Sequence, residues 1–175
     1  MDLIKIKIRR FKELLTGILL GSGTNWSLIR YNAVDYVLDG YSFINNRCIL
    51  YKSKVEENTI QHKILSLKNK AEKSPIFENN NILDNNTLLF SVLQREKELL
   101  AICLHSEDVI YVGRVKEVFS KSFGFDTYDT ELQKSGIINI EYSKVRYIQI
   151  RTDYLNSLCL LLDEESSPKV TQTLD

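Results

Sequence analysis

Residues 3–9 read LIKIKIR, and 96 positions later residues 99–105 read LLAICLH. In the first stretch Ile4, Ile6 and Ile8 alternate strictly with Lys5, Lys7 and Arg9, which predicts a strand with one buried and one basic face. The echo continues at the same offset. Leu3 matches Leu99, Ile6 matches Ile102, Gly17 matches Gly113, Gly40 matches Gly136, Ile44 matches Ile140 and Tyr51 matches Tyr147. The identities are few, but the order of strand, glycine, turn, strand, glycine, strand and helix recurs. A duplicated unit accounts for that order.

Working outward, Leu14–Leu20 is a second apolar run, followed by the turn Gly21-Ser22-Gly23-Thr24-Asn25. Trp26–Tyr31 and Gly40–Ile44 read as further strands, and Ile49–Tyr51 as a short fifth. In the middle strand the aromatic positions fit better with one extra residue, which sets Trp26 on Phe123 and Leu28 on Phe125. Ile60, Ile64 and Leu67 then change the period to that of an amphipathic helix over Glu56–Lys70, with Glu56 and Glu57 near its N-terminus and Lys68 and Lys70 near its end. Asn58–Leu67 corresponds to Tyr154–Asp163. The expected organisation is a first unit over 1–70 and a polar connector over 71–96. That connector carries a short helix with Leu88, Leu89, Val92 and Leu93 on one side. A second unit over 97–165 and a flexible tail over 166–175 complete it. The fold class is mainly β (α+β): two similar small β-barrel units, each followed by a helix.

The stretches GILLGSGTNWSLIRYNAVDYVLDGYSFINNRCI (17–49) and VIYVGRVKEVFSKSFGFDTYDTELQKSGIINIEYSKVRYIQI (109–150) resemble the tandem Sm-like, SH3-type barrels of uncharacterised bacterial proteins. Asp39-Gly40-Tyr41 and Val145-Arg146-Tyr147-Ile148 carry the likeness. The resemblance implies a fold and no activity.

The chain has 175 residues, with 23 Lys+Arg against 23 Asp+Glu, 43% hydrophobic residues and 26% charged. That balance excludes a disordered chain, a collagen-like fibre and a disulfide scaffold. No apolar run is long enough to span a bilayer, so no membrane partner is expected. The three cysteines, Cys48, Cys103 and Cys159, stand far apart without a C-x-x-C and read as free thiols of a reducing compartment. The alternation in residues 4–9 also differs from a secretory signal, and a cytoplasmic location is expected. Charge is unevenly spread: residues 1–70 hold 12 Lys+Arg and 6 Asp+Glu, residues 71–175 hold 11 and 17. Halves of opposite sign are suited to pairing with one another or to head-to-tail self-association.

Chemistry-bearing constellations are sparse. Gly21-Ser22-Gly23-Thr24 lacks the third glycine of a dinucleotide fingerprint and the Gly-Lys of a P-loop, and reads as a hairpin turn. His62 and His105 have no second ligand at metal spacing, so neither a metal nor a cofactor is expected. Cys103 and His105 lie two apart on a strand, where side chains share a face but diverge, and nothing orients the imidazole. Trp26 is expected to be buried. Asp35 and Asp39 flank Tyr36-Val37-Leu38 in a surface loop between the third and fourth strands, where Asp side chains first read as turn formers; a binding loop is the other reading, since Tyr31, Tyr36 and Tyr41 crowd the same segment. Exposed tyrosines anchor interfaces and carboxylates steer basic partners.

The favoured function is therefore a non-enzymatic protein-binding module using Tyr31, Asp35, Tyr36, Asp39 and Tyr41. An immunity or adaptor protein masking a toxin domain is one such module. A nucleic-acid binder using Lys5, Lys7, Arg9, Arg10 and Lys12 is the alternative, although lysines on an edge strand also prevent aggregation and zero net charge is unhelpful for phosphates. An enzyme with a dispersed site is the third class.

Overall fold

The computed structural model describes residues 1–71 and 80–166, with side chains at 70, 71, 80, 165 and 166 left aside. The fold is mainly β, as the alternating segments predict. Ten strands run in chain order: β1 (Leu3–Ile8), β2 (Leu14–Ser22), β3 (Trp26–Val34), β4 (Val37–Asn45), β5 (Ile49–Lys54), β6 (Leu100–Cys103), β7 (Ile110–Val118), β8 (Ser122–Tyr128), β9 (Lys134–Glu141) and β10 (Tyr147–Ile150). Three α-helices accompany them: α1 (Ile60–Ala71), α2 (Asn86–Arg95) and α3 (Asp153–Ser166).

Where two separate barrels are expected, the strands form one open antiparallel sheet in the order β5-β1-β2-β3-β4-β10-β6-β7-β8-β9. Within each half the order is the same, last strand first and then the four-strand meander. The halves join where β4 pairs with β10, Tyr147 opposite Ile44, Ile148 opposite Phe43, Gln149 opposite Ser42 and Ile150 opposite Tyr41. Backbone groups at an unpaired edge need partners, and this joint supplies them to both strands. Asn45 secures it from inside. Its amide donates to the carbonyls of Tyr142 at 3.2 Å and Val145 at 3.0 Å, and its backbone N–H donates to Arg146 O.

Both meanders bend at a bulge. Register shifts between Leu19 and Gly21 in β2, and between Val115 and Glu117 in β7. A bulge bends its strand and increases the local twist. Gly17 lies so close to Arg30 O, and Gly113 to Asp126 O, that neither site has room for a Cβ. The ladders also correct the expected alignment of the middle strands. Leu19 faces Ile29 and Val115 faces Phe125, so the offset of 96 runs through without an inserted residue. Phe125 thus matches Ile29, and Trp26 has no aromatic counterpart. The side-chain chemistry suggested an insertion that the backbone does not contain.

The largest core cluster lies between the halves under α2. It joins Trp26, Leu28 and Phe43 to Phe123, Phe125, Ile148 and Ile150, with Leu89, Phe90 and Leu93 of the helix fully buried. Phe90 is its hub, with ring centroids 4.1 Å from Phe123 and 5.0 Å from Tyr142. Leu88, expected on the inner side, faces out instead. A second cluster holds Ile4, Ile6, Ile8, Ile29, Ile44 and Tyr147. Helix α1 contributes Leu65, not the predicted Ile60 and Leu67, which are both exposed. The spacing of four and three is present, but the helix docks through its neighbouring stripe onto Leu3 and Ile18. The expected helix also begins late: Glu56 and Glu57 precede the helix in a turn, and Thr59 Oγ1 accepts from the N–H of His62. Most of the polar connector before α2, and the tail after residue 166, lie outside the described residues.

Candidate functional site

The two carboxylates and three tyrosines singled out by sequence do not form one loop. The loop is only the two-residue turn Asp35-Tyr36, because Val34 pairs directly with Val37. Asp35 takes a left-handed φ of 43°, which Asp tolerates at turns. Asp39 and Tyr41 sit on β4 and Tyr31 on β3. Strand propensity of the flanking Val and Tyr residues extends the hairpin to its tip. Asp39 is occupied: its Oδ1 accepts the backbone N–H of Asp153 at 2.6 Å, holding the first turn of α3. Tyr41 packs against the main core cluster. Burial, with Asp39 nearby, raises the Tyr31 hydroxyl above its ordinary pKa. What remains exposed is the hairpin tip, with Val34, Tyr36 and Val37. That tip is pinned to α1, Lys68 Nζ donating to Tyr36 O at 2.7 Å and Gln61 to Asn32 Oδ1 at 2.9 Å.

The basic candidates are divided as well. Lys5 and Lys7 share one face of β1, with Tyr51 of β5 opposite Lys7. Strand β1 lies inside the sheet between β2 and β5, so its lysines guard no edge; Lys52 and Lys54 of β5 do. Arg9 and Arg10 are exposed beyond the strand end. Lys12 is bound to the acidic half: Glu107 accepts its backbone N–H at 2.9 Å and that of Glu13 at 3.4 Å. Lys7 Nζ turns along the chain to Lys12 O at 2.6 Å.

Beside this contact lies a cleft of about 400 Å³ between the halves, lined by Phe11, Lys12, Tyr31, Glu107, Asp108 and Tyr147. The buried Cys103, which shares a core cluster with Tyr147 of this lining, is not set up for nucleophilic chemistry. Burial pushes the Cys103 thiol up to about 11, so it is protonated at neutral pH, and its Sγ donates to Ser106 O. His105 is exposed next to it and gives no base–thiol pair. Among the described residues no group of three His, Cys, Asp or Glu side chains is placed to hold a metal ion.

Among the described residues, the strands left with one ladder partner are those at the two ends of the sheet. There β9 pairs with β8 alone and β5 with β1 alone. All of β9 except Ile140 is exposed, including Ile137 at 59% and Ile138 at 37%. Leu50 and Tyr51 are exposed on β5. No motif marks these residues. The nearest signal is the pair Ile137-Ile138, which breaks strict alternation directly after Gly136.

In comparison with known proteins, no family model, curated protein or solved structure matches the chain. No helix among the described residues is long and apolar enough to cross a membrane.

Proposed function

We propose that this chain is a non-enzymatic protein-binding module built from two copies of one five-strand, Sm-like barrel unit. The duplication is supported by the equal strand order, the bulges 96 residues apart and the matching close approaches of Gly17 and Gly113. The observation that carries binding is the free edge of β9: a strand with an open row of backbone donors and acceptors, flanked by exposed isoleucines. Such edges recognise an extended segment of another protein through main-chain hydrogen bonds, with side chains adding specificity. The hairpin tip of Asp35 and Tyr36 is the second surface of this reading, since loops on a rigid scaffold carry contacts.

The test is affinity capture from the native host with the wild type and three variants, Ile138→Lys, Asp35→Lys and Tyr36→Ala. All four should share one circular dichroism spectrum. Loss of the captured protein with Ile138→Lys supports the edge, and loss with the other two supports the tip. Retention by all three in folded protein refutes the reading. The nucleic-acid alternative rests on Lys5 and Lys7 standing beside Tyr51. It predicts salt-sensitive RNA binding by the purified chain that Lys5→Glu abolishes.

A further inference from the structure

We infer that the cleft between the two halves is a binding site for an alkylguanidinium cation, the group that an arginine side chain carries. The inference goes beyond the β9 edge and does not depend on it. Two loops build the cleft, residues 9–13 between β1 and β2 and residues 104–109 between β6 and β7. At the offset of 96 these loops are counterparts, but their chemistry differs: Phe11 corresponds to Glu107 and Lys12 to Asp108. One loop thus supplies a ring where the other supplies a carboxylate. Tyr31 of β3 and Tyr147 of β10 complete the lining. Their counterparts are Thr127 and the exposed Tyr51, so the combination of rings and acids is not repeated at the matching place.

Both parts of the lining are held in place. Phe11 is buried and meets Tyr147 edge-on, with ring centroids 6.1 Å apart and planes at 83°. Burial raises the hydroxyls of Tyr31 and Tyr147 above their ordinary pKa, so neither tyrosine adds charge at neutral pH. Glu107 Oε1 accepts the N–H of Lys12 at 2.9 Å, and its Oε2 accepts that of Glu13 at 3.4 Å. These bonds hold a carboxylate of one half against the backbone of the other. Asp108 Oδ2 accepts the Ser106 hydroxyl at 3.1 Å. The lining therefore carries three carboxylates, Glu13, Glu107 and Asp108, against the single ammonium of Lys12.

Aromatic rings beside carboxylates select a cation. Among the described residues no three His, Cys, Asp or Glu side chains are placed to hold a metal ion, and a lining of rings suits an organic cation. Of the organic cations a guanidinium fits best. It is planar, stacks on rings and donates to carboxylates as a fork. It is also more weakly hydrated than an ammonium and so loses less on entering a partly apolar cleft. The volume of about 400 Å³ lies at the lower end of the range of about 300–1,000 Å³ that holds small ligands. A single side chain suits that space better than a large cofactor.

Titration of the isotope-labelled chain with ethylguanidinium chloride, followed by amide resonances at constant ionic strength, tests this. Saturable shifts should centre on the amides of Lys12, Glu13 and Asp108 by about 50 mM, enough to detect a millimolar Kd. Propylammonium should bind more weakly and acetate not at all. Glu107→Gln keeps an acceptor and removes the charge, and Tyr31→Leu removes a ring. Each should weaken binding about five-fold or more, whereas Lys12→Ala, which removes the competing cation, should strengthen it. The amide spectrum itself reports whether each variant is folded; Asp108 is exposed, so Asp108→Asn carries the test if Tyr31→Leu does not fold. Ile138→Lys should bind like the wild type, which separates this site from the β9 edge. Arginine amide and a glycine pentapeptide with a central arginine distinguish the sources of the group. Tighter binding of the peptide assigns it to a segment of a protein, and tighter binding of the amide to a free small molecule. Cleft amides that do not shift, propylammonium binding as tightly as ethylguanidinium, or an affinity unchanged in Glu107→Gln and Asp108→Asn overturns the inference. So does acetate binding that Lys12→Ala abolishes, which makes the cleft an anion site.

Discussion

Replacing Trp26 by alanine probes whether the two halves share one core. Trp26 has no exposed surface, its Nε1 donates to Asn86 Oδ1 at 2.8 Å, and its ring meets Phe90 edge-on with centroids 6.0 Å apart. A buried aromatic of this size removes about 150–250 Å² from water. At about 25 cal/mol per Å² that is ~4–6 kcal/mol, of which alanine retains a part, and the cavity adds a penalty. The expected loss is about 3–5 kcal/mol, a large fraction of the stability of a typical domain. With a urea m-value of about 2–3 kcal/mol/M, the midpoint should fall by about 1–2.5 M. Circular dichroism is the assay, since the variant has no tryptophan left to fluoresce. Trp26→Phe, which keeps the packing and loses the hydrogen bond, should fall between the two. In the wild type, tryptophan fluorescence and circular dichroism should report one coincident transition, because Phe90 links Trp26 of the first half to Phe123 of the second. A midpoint moved by less than about 0.3 M, or two separate wild-type transitions, would refute the shared core.

Three further outcomes follow from the same geometry. Gly40→Ala should destabilise the fold far more than Gly136→Ala, which meets only backbone strain of about 1–3 kcal/mol; paired urea titrations measure the difference. Asn45→Ala, which leaves the carbonyls of Tyr142 and Val145 without their donor, should cost about 1–3 kcal/mol, and hydrogen exchange should rise first in β4 and β10. Burial raises the Cys103 thiol from its ordinary 9.0 to about 11 and raises Tyr147 as well. The folded state then holds protons that the unfolded state releases, so stability is full below about pH 9 and falls as pH climbs from there. Urea midpoints between pH 8 and 11 should decline, less steeply in Cys103→Ala relative to its own value at pH 8.

Much of the strand framework is legible in local pattern alone, because alternation of Ile4, Ile6 and Ile8 with charged residues admits one fold of the backbone and the turn-forming Gly, Asn and Asp residues punctuate it. The burial of Trp26 and the recurrence of Gly17 and Gly113, each at a close approach of the neighbouring strand, are legible for the same reason. Face selection by the helices is not. In α1 the residues Ile60, Ile64, Leu65 and Leu67 offer more than one apolar stripe, and only docking against Leu3 and Ile18 selects Leu65. The candidate site is legible in part. Side-chain type marks Asp35 and Tyr36 as a turn, but whether Asp39 is free to bind depends on the arrival of Asp153 from 114 residues away. The edges lie furthest from the sequence. β4 and β9 share the spacing of glycine and isoleucine, yet one is interior and the other terminal. That distinction belongs to which strand pairs with β10, a long-range choice set by Asn45 and by the common core under α2, and no local pattern of residues encodes it.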